Sequence, residues 1–276
     1  RTKIIQPLEA AVVSAIHVRD GQRVQAGDVL IELDSALTGA DLRQASDALQ
    51  SAVLAEARSQ ALLDALDQGR VPRMDPTAFA ATPAKDNAEL HAVQTRLVQS
   101  EYTAHVAKRE ALDSQLQQRE AELATTRELI THLVESERIA RARVDDLRRL
   151  LGKNYVARHD VLAAEQSQVE AERDLSTQRS RVTELEAAIR ASREERGNLV
   201  AEFRRSVLDG LRQAREQRAQ YTEEATKSER RDERMRLTAP VTGTVQQLAV
   251  HTVGGVVSPA QPLMAIVPEG ESLEVE

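Results

Sequence analysis

Six histidines, His17, His91, His105, His132, His159 and His251, are the side chains best suited to hold a metal or move a proton near neutral pH. None stands at the HExxH spacing, and no GxSxG, P-loop or GxGxxG after a strand accompanies them. The 44 acidic residues lie among 37 basic ones on segments of helical period, where solvated i,i+4 ladders are their ordinary use. With no cysteine there is no thiolate metal site and no disulfide. No catalytic, cofactor-binding or metal-binding residue is expected, and the chain is not read as an enzyme. What stands apart is "LLGKNYVARHD", Leu150–Asp160, where Leu150, Leu151, Tyr155 and Val156 gather between two long polar runs. Apolar side chains at the end of a polar rod have no core to join, so they are read as a docking surface, with local packing within the turn as the alternative.

Those four residues must be held out by helices. The 276 residues are 29% charged and 2% aromatic, thin material for a compact core, and Ala, Leu, Glu, Gln and Arg dominate the middle. Positions 116, 123, 130, 137, 144 and 151 are Leu, Leu, Ile, Glu, Val and Leu, and 112, 119, 126, 133, 140 and 147 are Leu, Arg, Thr, Leu, Ala and Leu. This heptad spacing asks for a partner helix along its length. Gly152 and Asn154 suit a helix C-cap and a tight reversal, placing a tip at 151–160. A second track follows, with Leu175, Val182, Ile189 and Phe203 on one line and Leu185 and Leu199 on the other, slipping phase near Val207, Leu211 and Tyr221. A four-residue slip is a stutter, which unwinds the supercoil locally without ending the helix. Residues 87–236 are therefore expected to form an antiparallel hairpin with arms on the order of 100 Å. Thr82 and Pro83 read as its N-cap and first helical residue. An earlier helix is expected at 38–67, with Thr38 and Asp41 placed like a capping box, and a proline-broken linker at 68–86. The spacing leaves open whether that helix extends the rising arm or doubles back beside it.

The two ends say one thing twice. Val13, Ile16 and Val18 lead to Gly21, then Val24, Gly27 and Leu30; Val245, Leu248 and Val250 lead to Gly254, then Val257, Ala260 and Leu263. Each end is a set of about four short strands, too small to be stable alone. The two are expected to pack face to face as one β-sandwich, residues 1–34 with 239–270, bringing Asp34 close to Ala239. The helical region, 35–238, is then an insertion. The fold class is α+β, mostly α: a long antiparallel coiled-coil hairpin inserted into a split β-sandwich.

This split pattern resembles the biotinyl/lipoyl domain in the half-motif form of bacterial membrane-fusion proteins. A carrier domain has a modifiable Lys at the hairpin tip between its halves; here the first half has only Lys3, outside the motif, and the second has none. A biotin or lipoate carrier is thereby disfavoured, and no cofactor is expected.

The opening "TKIIQPLEAAVVSAIHVRDGQRVQAGDVLIELD", the tip, and "RLTAPVTGTVQQLAVHTVGGVVSPAQPLMAIVPEGESLEVE" are similar, over nearly the whole chain, to the haemolysin D family, the periplasmic adaptors of type I secretion systems. The resemblance implies an adaptor linking an inner-membrane ABC transporter to a TolC-like outer-membrane channel, carrying an unfolded toxin or enzyme of RTX type. It also implies a homo-oligomeric ring, expected to be a hexamer, in the periplasm. The resemblance implies, further, an inner-membrane anchor N-terminal to Arg1; the chain itself begins without Met, as an excised fragment does, and holds no run of eighteen apolar residues. "ESLEVE", Glu271–Glu276, would be the first strand of a barrel domain. A net charge of −7 with no basic, aromatic-interleaved window sets nucleic acid aside.

Many drug-efflux adaptors carry at the tip an Arg, a Leu four residues on, and a Ser seven beyond. Here Leu150 fills the middle place, with Asp146 for the Arg and Ala157 for the Ser, and Arg143 lies one turn before Asp146 as a substitute. That departure favours secretion over the alternative, an adaptor of a tripartite drug-efflux pump. The resemblance thus adds Arg143 to Leu150, Leu151, Tyr155 and Val156 as channel-docking residues.

Overall fold

A computed structural model describes residues 2–80 and 84–268, with side chains described except at 84–86. Thr82, Pro83 and Glu271–Glu276 lie outside the described residues, and with them the expected N-cap and barrel strand.

Eight strands come from the two ends: β1 Lys3–Ile5, β2 Ala11–Ile16, β3 Arg23–Val24, β4 Val29–Leu33, β5 Arg236–Thr238, β6 Gly243–Gln246, β7 Val256–Val257 and β8 Met264–Pro268. They form two four-stranded sheets, ordered β1-β8-β6-β3 and β5-β4-β2-β7. The expectation of two halves packed face to face is corrected here, because each sheet takes two strands from each end. Strands of two to six residues bury too little alone, so each half completes its ladders with the other. Val13, Val24 and Leu30 and their equivalents Val245, Val257 and Leu263 are all at most 3% exposed in one shared core; of the matched pairs Ile16 with Leu248 and Val18 with Val250, Val18 is buried in that core and the other three residues pack against it. Exchanging the numbers of β1–β4 with those of β5–β8 turns one sheet order into the other, so the repeat is a pseudo-twofold swap.

Three helices fill the middle: α1 Ala36–Gln68, α2 Ala84–Leu151 and α3 Arg158–Glu233. α1 starts on Asp34, whose carboxylate accepts the Ala36 amide at 2.9 Å. The capping box expected at Thr38 and Asp41 is therefore corrected: Thr38 sits inside the first turn and donates to Asp232 of α3 at 2.9 Å. The chain divides into two compact units, one of Arg1–Gln60, Met74–His91 and Gly210–Glu276, the other of Ala61–Arg73 and Ala92–Asp209.

In the first unit α1 runs antiparallel to the end of α3. Glu56 accepts from Arg215 at 3.2 Å and from Arg218 at 2.9 Å, and Gly210 leaves room for Ser59, whose Oγ would lie 3.3 Å from any Cβ there. Arg218 above all, with Arg215, holds the Glu56 carboxyl below the usual range against a smaller opposing effect of its burial. Within the stretch expected as a linker, residues 74–79 pack in this unit. Pro76–Phe79 forms a 3-10 turn started by Asp75, Phe79 is fully buried against His91, and Gln50 donates to the Ala78 carbonyl at 3.1 Å. Met74 and Phe79 give this stretch apolar surface to bury, which a free spacer lacks.

In the second unit α2 and α3 are antiparallel, as Arg127–Glu186 at 2.7 Å and Arg196–Asp113 at 2.6 Å show. The heptad positions of α2 are its half-buried or buried ones, and Val144 is fully buried. Neighbouring residues of α3 hold two different helices: Phe203 stacks on His105 of α2 with ring centroids 4.1 Å apart, and Arg204 reaches Asp67 of α1 at 2.7 Å. The sequence slips its phase here because α3 now serves two partners, with burial moving from Phe203 to Val207.

Candidate functional site

The tip is built by two complementary helix ends. Asn154 takes the left-handed conformation, φ 57°, while Tyr155 N–H donates to the Leu150 carbonyl at 3.0 Å and Asn154 N–H to the Leu151 carbonyl at 2.9 Å. This is a Schellman cap, with Asn where glycine is commonest. Six residues later α3 is capped in turn, as the Asp160 carboxylate accepts the Ala157 amide at 3.1 Å and places an anion in its first turn. Behind the turn Arg148 and Glu165 close the two helices at 2.6 Å. Between Gly152 and Asp160 the amides of Gly152, Lys153, Asn154, Tyr155, Ala157 and Asp160 are all committed, so the reversal presents its side chains from a fixed backbone.

The five expected residues separate into two sets. Tyr155 is 75% exposed and Leu150 38% exposed, and the cap bond joins their backbones. Arg143 is exposed too, one heptad before Leu150 on the same line of α2, and makes no ion pair among the described residues. Leu151 and Val156 are half-buried instead; Leu151 is the last residue of the α2 seam, above Val144 and Val161. Asp146, standing where efflux adaptors carry Arg, is engaged by Arg149. Leu162 and Val169, 55% and 63% exposed, were not singled out by the seam pattern, yet they stand seven residues apart on one face of α3 just beyond the turn. That spacing was the legible signal.

Below the tip the α2–α3 seam holds polar groups. Arg119 donates to the Ala188 carbonyl at 3.0 Å and to Ser192, which is 1% exposed. His105 is buried, and that burial pushes its imidazole below the usual range, with Arg109 and Lys108 adding to the effect. Among the described residues no three His, Cys, Asp or Glu side chains gather to hold a metal, and no helix is long and apolar enough to cross a membrane.

Residues 34–235 match the family model for the CyaD alpha-helical hairpin domain. The chain belongs to the CyaD hairpin family. The resemblance to haemolysin D is borne out with it. The chain is 33% identical over 278 residues to the chromosomal hemolysin secretion protein D of Escherichia coli, covering 100% of this chain and 57% of that protein. Leukotoxin secretion protein D of Mannheimia haemolytica is 33% identical over 275 residues, with 99% and 57% covered, and protein CyaD of Bordetella pertussis 35% over 283 residues, with 100% and 54% covered. The chain thus spans little more than half the length of these relatives. In fold it is similar to the soluble domain of LipC, a membrane fusion protein of a type I secretion system, with a TM-score of 0.85 at 23% identity, covering 98% of this chain and 100% of that one. The periplasmic adaptor protein EmrA is similar at a TM-score of 0.50 and 17% identity, with 97% and 72% covered.

Proposed function

We propose that this chain is the hairpin and β-sandwich portion of a non-enzymatic secretion adaptor. It joins an inner-membrane ABC transporter to a TolC-like outer-membrane channel and serves export of an unfolded RTX-type protein. The protein lies in the periplasm, anchored to the inner membrane by a segment N-terminal to these residues, and works as a homo-oligomeric ring of six. The observation that carries the reading is the capped tip, which holds Leu150 and Tyr155 in water on a committed backbone.

Exposed apolar groups on a rigid support gain by burial without a further ordering cost, about 1.5–3 kcal/mol for each side chain fully covered. A ring repeats that gain at every subunit, so a modest single contact becomes a firm joint. Arg143 on the same face supplies a fixed cation for a carbonyl or carboxylate on the channel's helical ends. The Asp146–Arg149 pair leaves no Arg at the drug-efflux position, which supports secretion over efflux.

A photoreactive residue at position 155 of the full-length adaptor tests this in cells engaged in export. An adduct with the outer-membrane channel, absent when the residue is moved to the seam position 144, is the expected result. An adduct with neighbouring adaptor subunits alone contradicts the reading.

A further inference from the structure

We propose that the corner of the β-sandwich between β1 and β5 is a second docking site, which takes an acidic, extended segment of a partner polypeptide as an added strand. β1 is the outer strand of one sheet and β5 of the other, and a groove of about 430 Å³ lies between them. Neither outer edge has a strand against it among the described residues. An unpaired edge offers a row of backbone donors and acceptors to any chain that arrives extended.

The side chains around this edge select the arrival. Ile4 and Leu8 are 62% and 61% exposed at the groove, giving it an apolar floor. Arg230, Arg234 and Arg236 line it with a single carboxylate, Glu233, and Lys227 continues the line along α3 beside Glu223, so the cations outnumber the carboxylates by four to two. All four are exposed, and none has an ion-pair partner among the described residues, although the chain as a whole carries a net charge of −7. Cations near a helix C-terminus complement its dipole, which accounts for Arg230 but not for Arg236 on the strand beyond. On the same stretch of α3 other arginines are matched: Arg215 and Arg218 hold Glu56, and Arg231 holds Glu9 at 2.8 Å. A concentrated unmatched cationic strip beside an open apolar strand edge is complementary to a segment that alternates carboxylate and aliphatic side chains.

The test uses the full-length adaptor in exporting cells, with a photoreactive residue at position 4. Adducts are digested and mapped, and the same cells carry the reporter at position 155 as a control on folding and assembly. An adduct on an acidic extended segment of another polypeptide is expected, falling at least ten-fold in the Arg230→Gln, Arg234→Gln, Arg236→Gln variant while the tip adduct is unchanged. An adduct with a second copy of this chain, an adduct with phospholipid, no adduct, or one indifferent to the three substitutions each overturns the proposal. Because the tip reporter is read separately, its failure is distinguishable from failure of this site.

Discussion

Gly21 N–H donates to the carbonyl of Val245 at 2.8 Å, although the two residues stand at opposite ends of the sequence. Its mirror is present too: Gly254 N–H donates to the carbonyl of Val13, again at 2.8 Å. Val13 and Val245 are equivalent in the repeat, as are Gly21 and Gly254, so each half closes the other by the same bond. The sandwich cannot form from one half, since among the described residues β3 pairs only with β6 and β7 only with β2. Removing residues 239–276 is expected to unfold residues 1–34 as well, read as loss of amide protection at Val13, Leu30 and Ile31. A protected 1–34 fragment would contradict the interleaving.

The swap leaves one mismatch. Gly27 and its equivalent Ala260 both lie at positive φ, 94° and 59°, and donate to Ala239 and Pro7 in matching bonds. The left-handed region costs a non-glycine residue about 1–2 kcal/mol. Ala260→Gly should therefore raise stability by up to about 1 kcal/mol after the entropy of the added glycine, and Gly27→Ala should lower it by a similar amount. The urea midpoints of the two variants check the pair of signs.

Much of this was legible. The heptad tracks are periodic over many turns, and the same residues are the half-buried or buried ones, from Leu112 to Leu151. Asn154 as a cap and the phase slip after Phe203 follow from local chemistry and period. The strand exchange was not legible, because a repeat specifies equivalence between Val13 and Val245 without specifying which sheet each joins. Nor was the place of Gly243: a Cβ there would lie 2.2 Å from the Val267 carbonyl oxygen, a clash created only by the pairing of β6 with β8. At the tip the cluster of apolar residues was visible, but its division into exposed Leu150 and Tyr155 and half-buried Leu151 and Val156 depends on the cap geometry.

His105 makes the seam sensitive to acid. Burial holds its folded-state affinity for a proton below that of the unfolded chain, so the unfolded state binds the proton more readily. The stability it contributes is present above about pH 6.5 and is lost as pH falls below that value. His105→Phe, which can still stack on Phe203, should flatten the fall in melting temperature between pH 7.5 and 5.5. An equal fall in both proteins would remove His105 from the account.

Arg119 is a polar residue at a seam position, and such residues fix coiled-coil register more than they stabilise. Arg119→Leu should leave the melting temperature unchanged or raised while loosening register. The chain lacks cysteine, so engineered pairs report cleanly. Cysteines at 127 and 186 should cross-link in the native protein, and a pair at 127 and 193, one heptad away, should close only in the Arg119→Leu background. Closure of 127 with 193 in the unsubstituted seam would show that Arg119 holds no register.

The tip is where the account is most exposed, and export by a Leu150→Asp, Tyr155→Asp double variant of the full-length adaptor tests it most directly. Both side chains point into water, so helicity, the thermal transition and association with the inner-membrane transporter should be retained. Secretion and recruitment of the outer-membrane channel should be lost. Normal secretion by the folded double variant would show that the tip is only a turn, and unfolding of the hairpin would show that these residues serve the helices rather than the channel.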